Sequence, residues 1–134
     1  MARVLALVPD LLFGSRVQGT LTAAGHEVEL IGDEGGVRDR LEDAAAPAVA
    51  VLVVDLTNED LDGATLVESL IDEDLLGSLP GEGDVARIRT LGFYSHVDVR
   101  VRELAEQAGF DLVVPRSRMA REGPGLVTRL AATI

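Results

Sequence analysis

Two aspartates stand at the ends of apolar segments and are the residues with the clearest potential for chemistry. Asp10 follows the run RVLALVP, and Asp55 ends the run VLVVD. A strand buried on both faces has no use for a charge, so a carboxylate at its end either caps the following turn or belongs to a site. The choice depends on whether the fold brings the two carboxylates together.

Composition excludes several kinds of chemistry. The 134 residues include no cysteine and two histidines, which rules out disulfides, thiolate catalysis and zinc sites built on sulfur or on several histidines. No glycine segment follows the phosphate-binding patterns of nucleotide sites. Ser15, at a predicted helix N-terminus, could hold an anion, but PDLLFGS lacks the hydroxyl-rich loop expected of a flavin-phosphate site, so flavin binding has little support.

The net charge of −11 argues against nucleic acid and anionic lipid as partners. The basic residues that could form a local patch are Arg116, Arg118 and Arg121, and these could equally balance helix carboxylates. The chain has no apolar run of about eighteen residues and no basic-then-apolar leader. We therefore expect a soluble, cytoplasmic protein with neither a membrane nor a nucleic-acid partner.

The hydrophobic pattern alternates strands with helices along the whole chain. Short apolar segments predict five strands, over residues 3–8, 26–31, 48–54, 90–94 and 110–114. Apolar residues at helical spacing predict five helices, over residues 15–24, 37–46, 64–76, 97–108 and 124–132. The apolar face of the fourth helix consists of Val97, Val101, Leu104 and Ala108. This length is typical of one domain, so we predict a single unit over residues 1–134.

Alternating strands and helices predict a parallel sheet with helices on both faces, the doubly wound α/β class. Such sheets place their sites outside the carboxyl ends of the strands, where the loops after strands one and three lie side by side. Asp10 and Asp55 would then point into one crevice. The segment GSLPGEGD, residues 77–84, offers little to bury, and we expect this insert to be mobile. We also expect His26 to be exposed.

Five short segments carry polar side chains at the ends of the predicted strands or directly after them. Four of them are LVPD with Asp10, VVDL with Asp55, FYSH with Ser95 and VVPRS with Arg116. The fifth, DLTNEDLDG, leads from Asp55 to an Asp-Gly pair that opens the third helix. In these segments and in the order of its elements, the chain resembles the receiver domain of bacterial response regulators, the CheY-like family.

The resemblance implies a flavodoxin-like sheet with strand order 2-1-3-4-5 and a site at its carboxyl edge. Receivers bind Mg²⁺ through two carboxylates and a backbone carbonyl while a phosphoryl group reaches the aspartate that ends strand three, a chemistry that suits a hard cation. Asp55 is the matching candidate for phosphoaspartate formation. The matching metal ligands are Asp10, Asp55 and the carbonyl of Thr57, and the switch and pocket positions correspond to Ser95, His96 and Arg116.

Four positions depart from the family's pattern. Pro9 removes one acid of the metal-binding pair, Arg116 replaces a lysine, His96 stands where a small residue is usual, and Val113 stands where many receivers carry an aromatic. The planar guanidinium of arginine favours a permanent, bidentate ion pair with a carboxylate. The ammonium group of lysine can instead follow a phosphoryl group as it moves. We therefore predict weak Mg²⁺ binding and a contact from Arg116 to Asp55, directly or through one water.

The leading hypothesis from the sequence is a stand-alone, degenerate receiver-like domain, a pseudo-receiver, that acts in signalling through protein-protein interaction. It is not an enzyme and requires no cofactor beyond weakly bound Mg²⁺. One alternative is a genuine two-component receiver that a histidine kinase phosphorylates on Asp55, and another is a small-ligand-binding domain using the same crevice. The expected partner is a histidine kinase or a downstream regulator. Mixed charges on the last two helices favour a monomer or a weak, salt-sensitive homodimer.

Overall fold

Five parallel strands form a sheet in the order β2-β1-β3-β4-β5 in the computed structural model, which describes residues 2–77 and 87–132. The strands are β1 (Arg3–Leu7), β2 (Glu27–Ile31), β3 (Val51–Asp55), β4 (Arg89–Tyr94) and β5 (Leu112–Pro115). The helices are α1 (Leu11–Ala23), α2 (Glu34–Glu42), α3 (Gly63–Asp72), α4 (Val99–Ala108) and α5 (Arg116–Ala132). The doubly wound α/β class and the strand order are confirmed.

The central strands are buried on both faces because helices cover each side of the sheet. Along β1, Val4 and Ala6 pack into a cluster with residues of α1 and α5, whereas Leu5 and Leu7 pack into a second cluster with residues of α2, α3 and α4. Every residue of β3 is buried as well. This two-sided burial explains why the strands have continuous apolar sequences instead of alternating ones.

The first two helices begin earlier than the apolar pattern predicts because side-chain caps set their first turns. Helix α1 begins at Leu11, where Asp10 acts as its N-cap, and Leu11 is 85% exposed. Helix α2 begins at Glu34, after Asp33 accepts the backbone N–H of Gly36 at 2.7 Å. The apolar residues that open α1 are consecutive and show no helical spacing, and α2 opens with Glu-Gly-Gly, so the capping residue marks each start.

Helix α5 begins at Arg116 and continues through Pro124, the residue at which the sequence predicts its start. A proline inside a helix removes one backbone hydrogen bond. Burial holds both halves of the helix in place, because Met119 before the proline and Leu126 after it pack into the same cluster. The hydroxyl of Thr128 also donates to the carbonyl of Pro124 at 2.9 Å.

His26 is 5% exposed, so the prediction of an exposed side chain is wrong. Its Nδ1 accepts the backbone N–H of Ala2 at 3.1 Å, and its Nε2 lies 3.1 Å from the hydroxyl of Thr128. A neutral ring with its proton on Nε2 satisfies this arrangement, since the hydroxyl can accept from Nε2 and still donate to Pro124. His26 thereby joins the start of β1 to α5.

We expect His26→Leu to lower the free energy of unfolding by about 1–3 kcal/mol, because the buried N–H of Ala2 loses its acceptor. Thr128→Val should cost about 1 kcal/mol, since it removes one hydroxyl without changing the shape of the side chain. Urea denaturation measures both. His96→Leu is the matched control at an exposed histidine. A His26→Leu variant as stable as its control would show that the buried hydrogen bonds contribute nothing.

Most of the insert predicted to be mobile, residues 77–84, lies outside the described residues, and its mobility stays a prediction. Gly77, which is described, has a positive φ of 94°, a conformation that favours glycine. Within residues 2–77 and 87–132, no helix is both long and apolar enough to cross a membrane.

Candidate functional site

Asp55 ends β3 with its carboxylate turned to the loop that follows. The residue is 2% exposed, and its Oδ1 accepts both the backbone N–H of Thr57, at 2.8 Å, and the hydroxyl of Thr57, at 2.6 Å. The carboxylate therefore closes the turn after the strand. The turn-capping role that the sequence left open is present, and it occupies one of the two carboxylate oxygens.

Asp10 lies at the end of the neighbouring strand. The register pairs Leu7 of β1 with Val54 of β3, so the two aspartates follow adjacent strand ends, as the parallel sheet predicts. The Oδ1 of Asp10 accepts the N–H groups of Leu12, at 2.9 Å, and Phe13, at 3.0 Å. One oxygen of this carboxylate thus holds the first turn of α1.

Arg116 covers the other side of Asp10. Its Nη2 lies 3.9 Å from the Oδ2 of Asp10, and its guanidinium carbon lies 4.1 Å from the centroid of the Phe13 ring. Phe13 in turn packs against Phe93 of β4, with ring centroids 5.1 Å apart. The arginine is therefore held by a stacked ring and a carboxylate that belong to the same turn of α1.

The predicted direct contact between Arg116 and Asp55 is wrong, because within the described part of the chain Arg116 forms its ion pair with Asp10. The ring of Phe13 offers the flat guanidinium a stacking surface beside Asp10, and the Oδ1 of Asp55 is turned to Thr57. The side chains of Arg116 and Asp10 are 44% and 46% exposed, so their ion pair contributes little stability by itself.

Mg²⁺ binding by Asp10, Asp55 and the carbonyl of Thr57 stays a prediction, and in this arrangement a cation would compete with existing contacts of the two carboxylates. Mg²⁺ requires oxygen ligands in near-octahedral geometry, but one oxygen of Asp10 caps a helix and the other faces a guanidinium. One oxygen of Asp55 is taken by Thr57. Among the described residues, no group of three or more histidine, aspartate or glutamate side chains could hold a metal ion.

The three predicted switch residues share one pocket. A cavity of about 570 Å³ is lined by Thr57, Ser95, His96, Arg116, Ser117 and Ala120. Hydroxyl groups beside a guanidinium suit an anionic group. Asp10 and Asp55 are not among the described residues that line this cavity, but Asp55 contacts the lining residue Thr57 and Asp10 contacts the lining residue Arg116.

The Asp-Gly pair that opens α3 has a packing role which the sequence analysis missed. A Cβ added to Gly63 would lie 2.7 Å from a methyl carbon of Leu56 and 2.8 Å from one of Val54. A Cβ added to Gly92, in β4, would lie 2.7 Å from the other methyl carbon of Leu56. Leu56 therefore packs over two glycines, and the segment that leads from Asp55 to Gly63 depends on that close approach.

The chain is similar to solved receiver domains over nearly its whole length. CheY4 of Vibrio cholerae is 17% identical, with 97% of this chain and 98% of that chain covered and a TM-score of 0.76. The non-phosphorylated HemR receiver domain of Leptospira biflexa is 17% identical, with 100% and 97% covered and a TM-score of 0.74. The phosphorylated cyanobacterial phytochrome response regulator RcpA is 14% identical, with 99% and 96% covered and a TM-score of 0.76.

These similarities show that the fold is that of response-regulator receiver domains. No protein-family model and no curated protein matches the sequence.

Proposed function

We propose that this chain is a receiver-like domain that acts through protein-protein interaction and is not switched by phosphorylation of Asp55. The position of Arg116 carries the proposal. Its guanidinium lies beside Asp10 and over the Phe13 ring. Arg116 directly follows β5, the position at which receivers carry their lysine. A guanidinium at this distance offsets part of the negative charge on Asp10 that would attract Mg²⁺.

Phosphorylation would require several of the existing contacts to break. Mg²⁺ would have to displace Arg116 from Asp10 and compete with the helix N–H groups for the Oδ1 of Asp10. Pro9 offers no second carboxylate to compensate. Mg²⁺ also gives up its waters reluctantly, so the missing acid together with competition from Arg116, which is weak by itself at this exposure, favours a site that stays in one state.

The pocket beside Asp55 favours a second candidate, a genuine phospho-acceptor modified by a histidine kinase. Thr57, Ser95 and Arg116 place hydroxyls and a cation around a cavity of about 570 Å³, and such groups suit phosphoryl oxygens. This candidate requires the metal site to assemble when Mg²⁺ is added. The two candidates therefore differ in their response to Mg²⁺ and a phosphoryl mimic.

We expect millimolar Mg²⁺ with beryllofluoride to shift the melting temperature of the unchanged protein by less than about one degree. The double variant Pro9→Asp with Arg116→Lys restores an acid pair and a lysine, and it should gain a shift of several degrees. Saturating a site at a hundred times its dissociation constant adds about 2.7 kcal/mol of stability. Differential scanning calorimetry with each additive alone and with both measures the shifts.

Asp10→Ser in the restored background is the control, because serine keeps the helix cap and removes the carboxylate. This variant should lose the gained shift. A shift of several degrees in the unchanged protein, removed by Asp55→Asn, would reject the proposed function in favour of the phospho-acceptor.

A further inference from the structure

A groove outside the pocket already described runs between the loop after β3 and helix α4. Its volume is about 620 Å³. The larger apolar side chains that line it are Leu56 and Leu61 from the loop after β3, Val97 from the turn before α4, and Val101 and Leu104 from α4. Val97 is 76% exposed and Leu104 is 43% exposed. Together these side chains form an open apolar surface, which we call the α4 groove.

The groove exists because α4 packs on the sheet through small residues. The sequence predicts a helix from residue 97 with an apolar face of Val97, Val101, Leu104 and Ala108, but α4 begins at Val99, and both Val97 and Leu104 are exposed. Ala105 and Ala108 are the buried residues of α4. The larger side chains are turned toward the loop after β3, where no described element of this chain covers them. Exposed apolar side chains grouped in one groove can be covered by the apolar face of a partner.

The charges on the rim of the α4 groove have one sign. The ionisable side chains among its described lining residues are Glu59, Asp60, Asp62 and Asp98. Asp62 accepts the N–H of Thr65, and Asp98 accepts the N–H of Val101, so helix N-termini offset those two carboxylates. Glu59 and Asp60 are exposed and carry the rest of the rim's negative charge.

We propose that the α4 groove binds a cationic amphipathic helix of a partner protein. Such a helix would place its apolar face on Val97, Val101 and Leu104 and its lysine or arginine side chains beside Glu59 and Asp60. A second copy of this chain is disfavoured because it would bring another net charge of −11 to an acidic rim. The same rim repels the phosphates of nucleic acid. This inference gives the proposed protein-protein interaction a surface and a partner chemistry, and therefore rests on it.

The probe is a fluorescent helical peptide of about 14 residues, four turns, made of leucine and lysine with the leucines on one face. A second peptide carries glutamate at every lysine position. Binding is titrated by fluorescence anisotropy at low and at physiological salt. The leucine-lysine peptide should bind saturably and weaken as salt increases, and the leucine-glutamate peptide should not bind.

Two groove variants test where the peptide binds, and each has a control that makes the same chemical change elsewhere. Glu59→Gln with Asp60→Asn removes two rim charges, and Asp72→Asn with Asp74→Asn removes two charges from the other end of α3. Leu104→Gln makes the groove floor polar, and Leu12→Gln alters a leucine that is 87% exposed on α1. The groove variants should weaken binding at least about fivefold and the controls less than about twofold.

Equal weakening by the groove variants and their controls would show general attraction to an acidic protein and would overturn the inference. Absence of saturable binding by the leucine-lysine peptide would overturn it as well. Circular dichroism of each variant checks that the fold is retained. If the peptide does not bind the α4 groove while beryllofluoride still leaves the melting temperature unchanged, the proposed function is retained and the partner binds another surface. If beryllofluoride does stabilise the unchanged protein, the proposed function fails independently of the peptide result.

Discussion

Asp111→Ala is expected to lower the free energy of unfolding by about 3 kcal/mol, because it leaves two partly buried cations without this carboxylate. Asp111 precedes β5 and forms ion pairs with Arg87 and Arg89. Its Oδ2 also accepts the N–H of Thr90, at 2.8 Å, and the hydroxyl of Thr90, at 3.1 Å. The three charged side chains are only 15–17% exposed, so water cannot replace these contacts fully.

Urea denaturation of Asp111→Ala, Asp111→Asn and Glu106→Gln separates the contributions. Asparagine keeps an acceptor for Thr90 and loses the charge, so its effect should lie between those of the other two variants. Glu106→Gln breaks an exposed ion pair with Arg102 and should leave the stability unchanged within error. If Asp111→Ala destabilised the protein no more than Glu106→Gln does, the buried ion pairs would contribute nothing to stability.

The second large effect is expected for Gly63→Ala, which should cost about 1–3 kcal/mol through overpacking against Leu56 and Val54. The β-branched Val54 has a restricted side chain in a fully buried strand and cannot move aside. Gly19→Ala is the matched control in α1, where no atom lies within 4 Å of the added methyl group. That variant should gain about 0.5–1 kcal/mol, since alanine is the better helix former.

Thermal and urea unfolding of both variants measure the predicted loss of stability in Gly63→Ala and the predicted gain in Gly19→Ala. The double variant Leu56→Ala with Gly63→Ala should be more stable than the sum of the two single effects indicates, because removing the leucine side chain relieves part of the clash. Strict additivity, or a Gly63→Ala variant that matches Gly19→Ala, would show that Leu56 does not restrict the residue at position 63.

The sequence predicts the strands better than the helix ends, for physical reasons. Strands buried on both faces must be continuously apolar, so β1 and β3 are visible from composition alone. The first turn of α1 joins the exposed Leu11 and Leu12 to the buried Phe13 without helical spacing, so the cap at Asp10 marks its start. Pro124 predicts a helix start, but α5 continues across this proline because residues on both sides of it are buried.

At the site, the sequence predicts which residues meet but not which of them pair. Parallel strands bring Asp10 and Asp55 to neighbouring strand ends, and Ser95, His96 and Arg116 share one pocket. The choice of Asp10 as the partner of Arg116 depends on the ring of Phe13, whose side chain becomes a stacking surface only once α1 has packed. The Asp111 ion pairs were also missed, because an aspartate before a short strand has no distinctive pattern.

The packing of Leu56 over Gly63 and Gly92 constrains how this sequence can change over evolutionary time. A side chain at position 63 meets Val54 as well as Leu56, and one at position 92 meets Phe110 as well as Leu56, so a smaller residue at position 56 relieves part of either clash and the order of substitutions matters. The three positions thus act as one epistatic unit that spans the loop after β3, the start of α3 and the middle of β4. A substitution at either glycine therefore costs less stability after position 56 has become smaller than it does before.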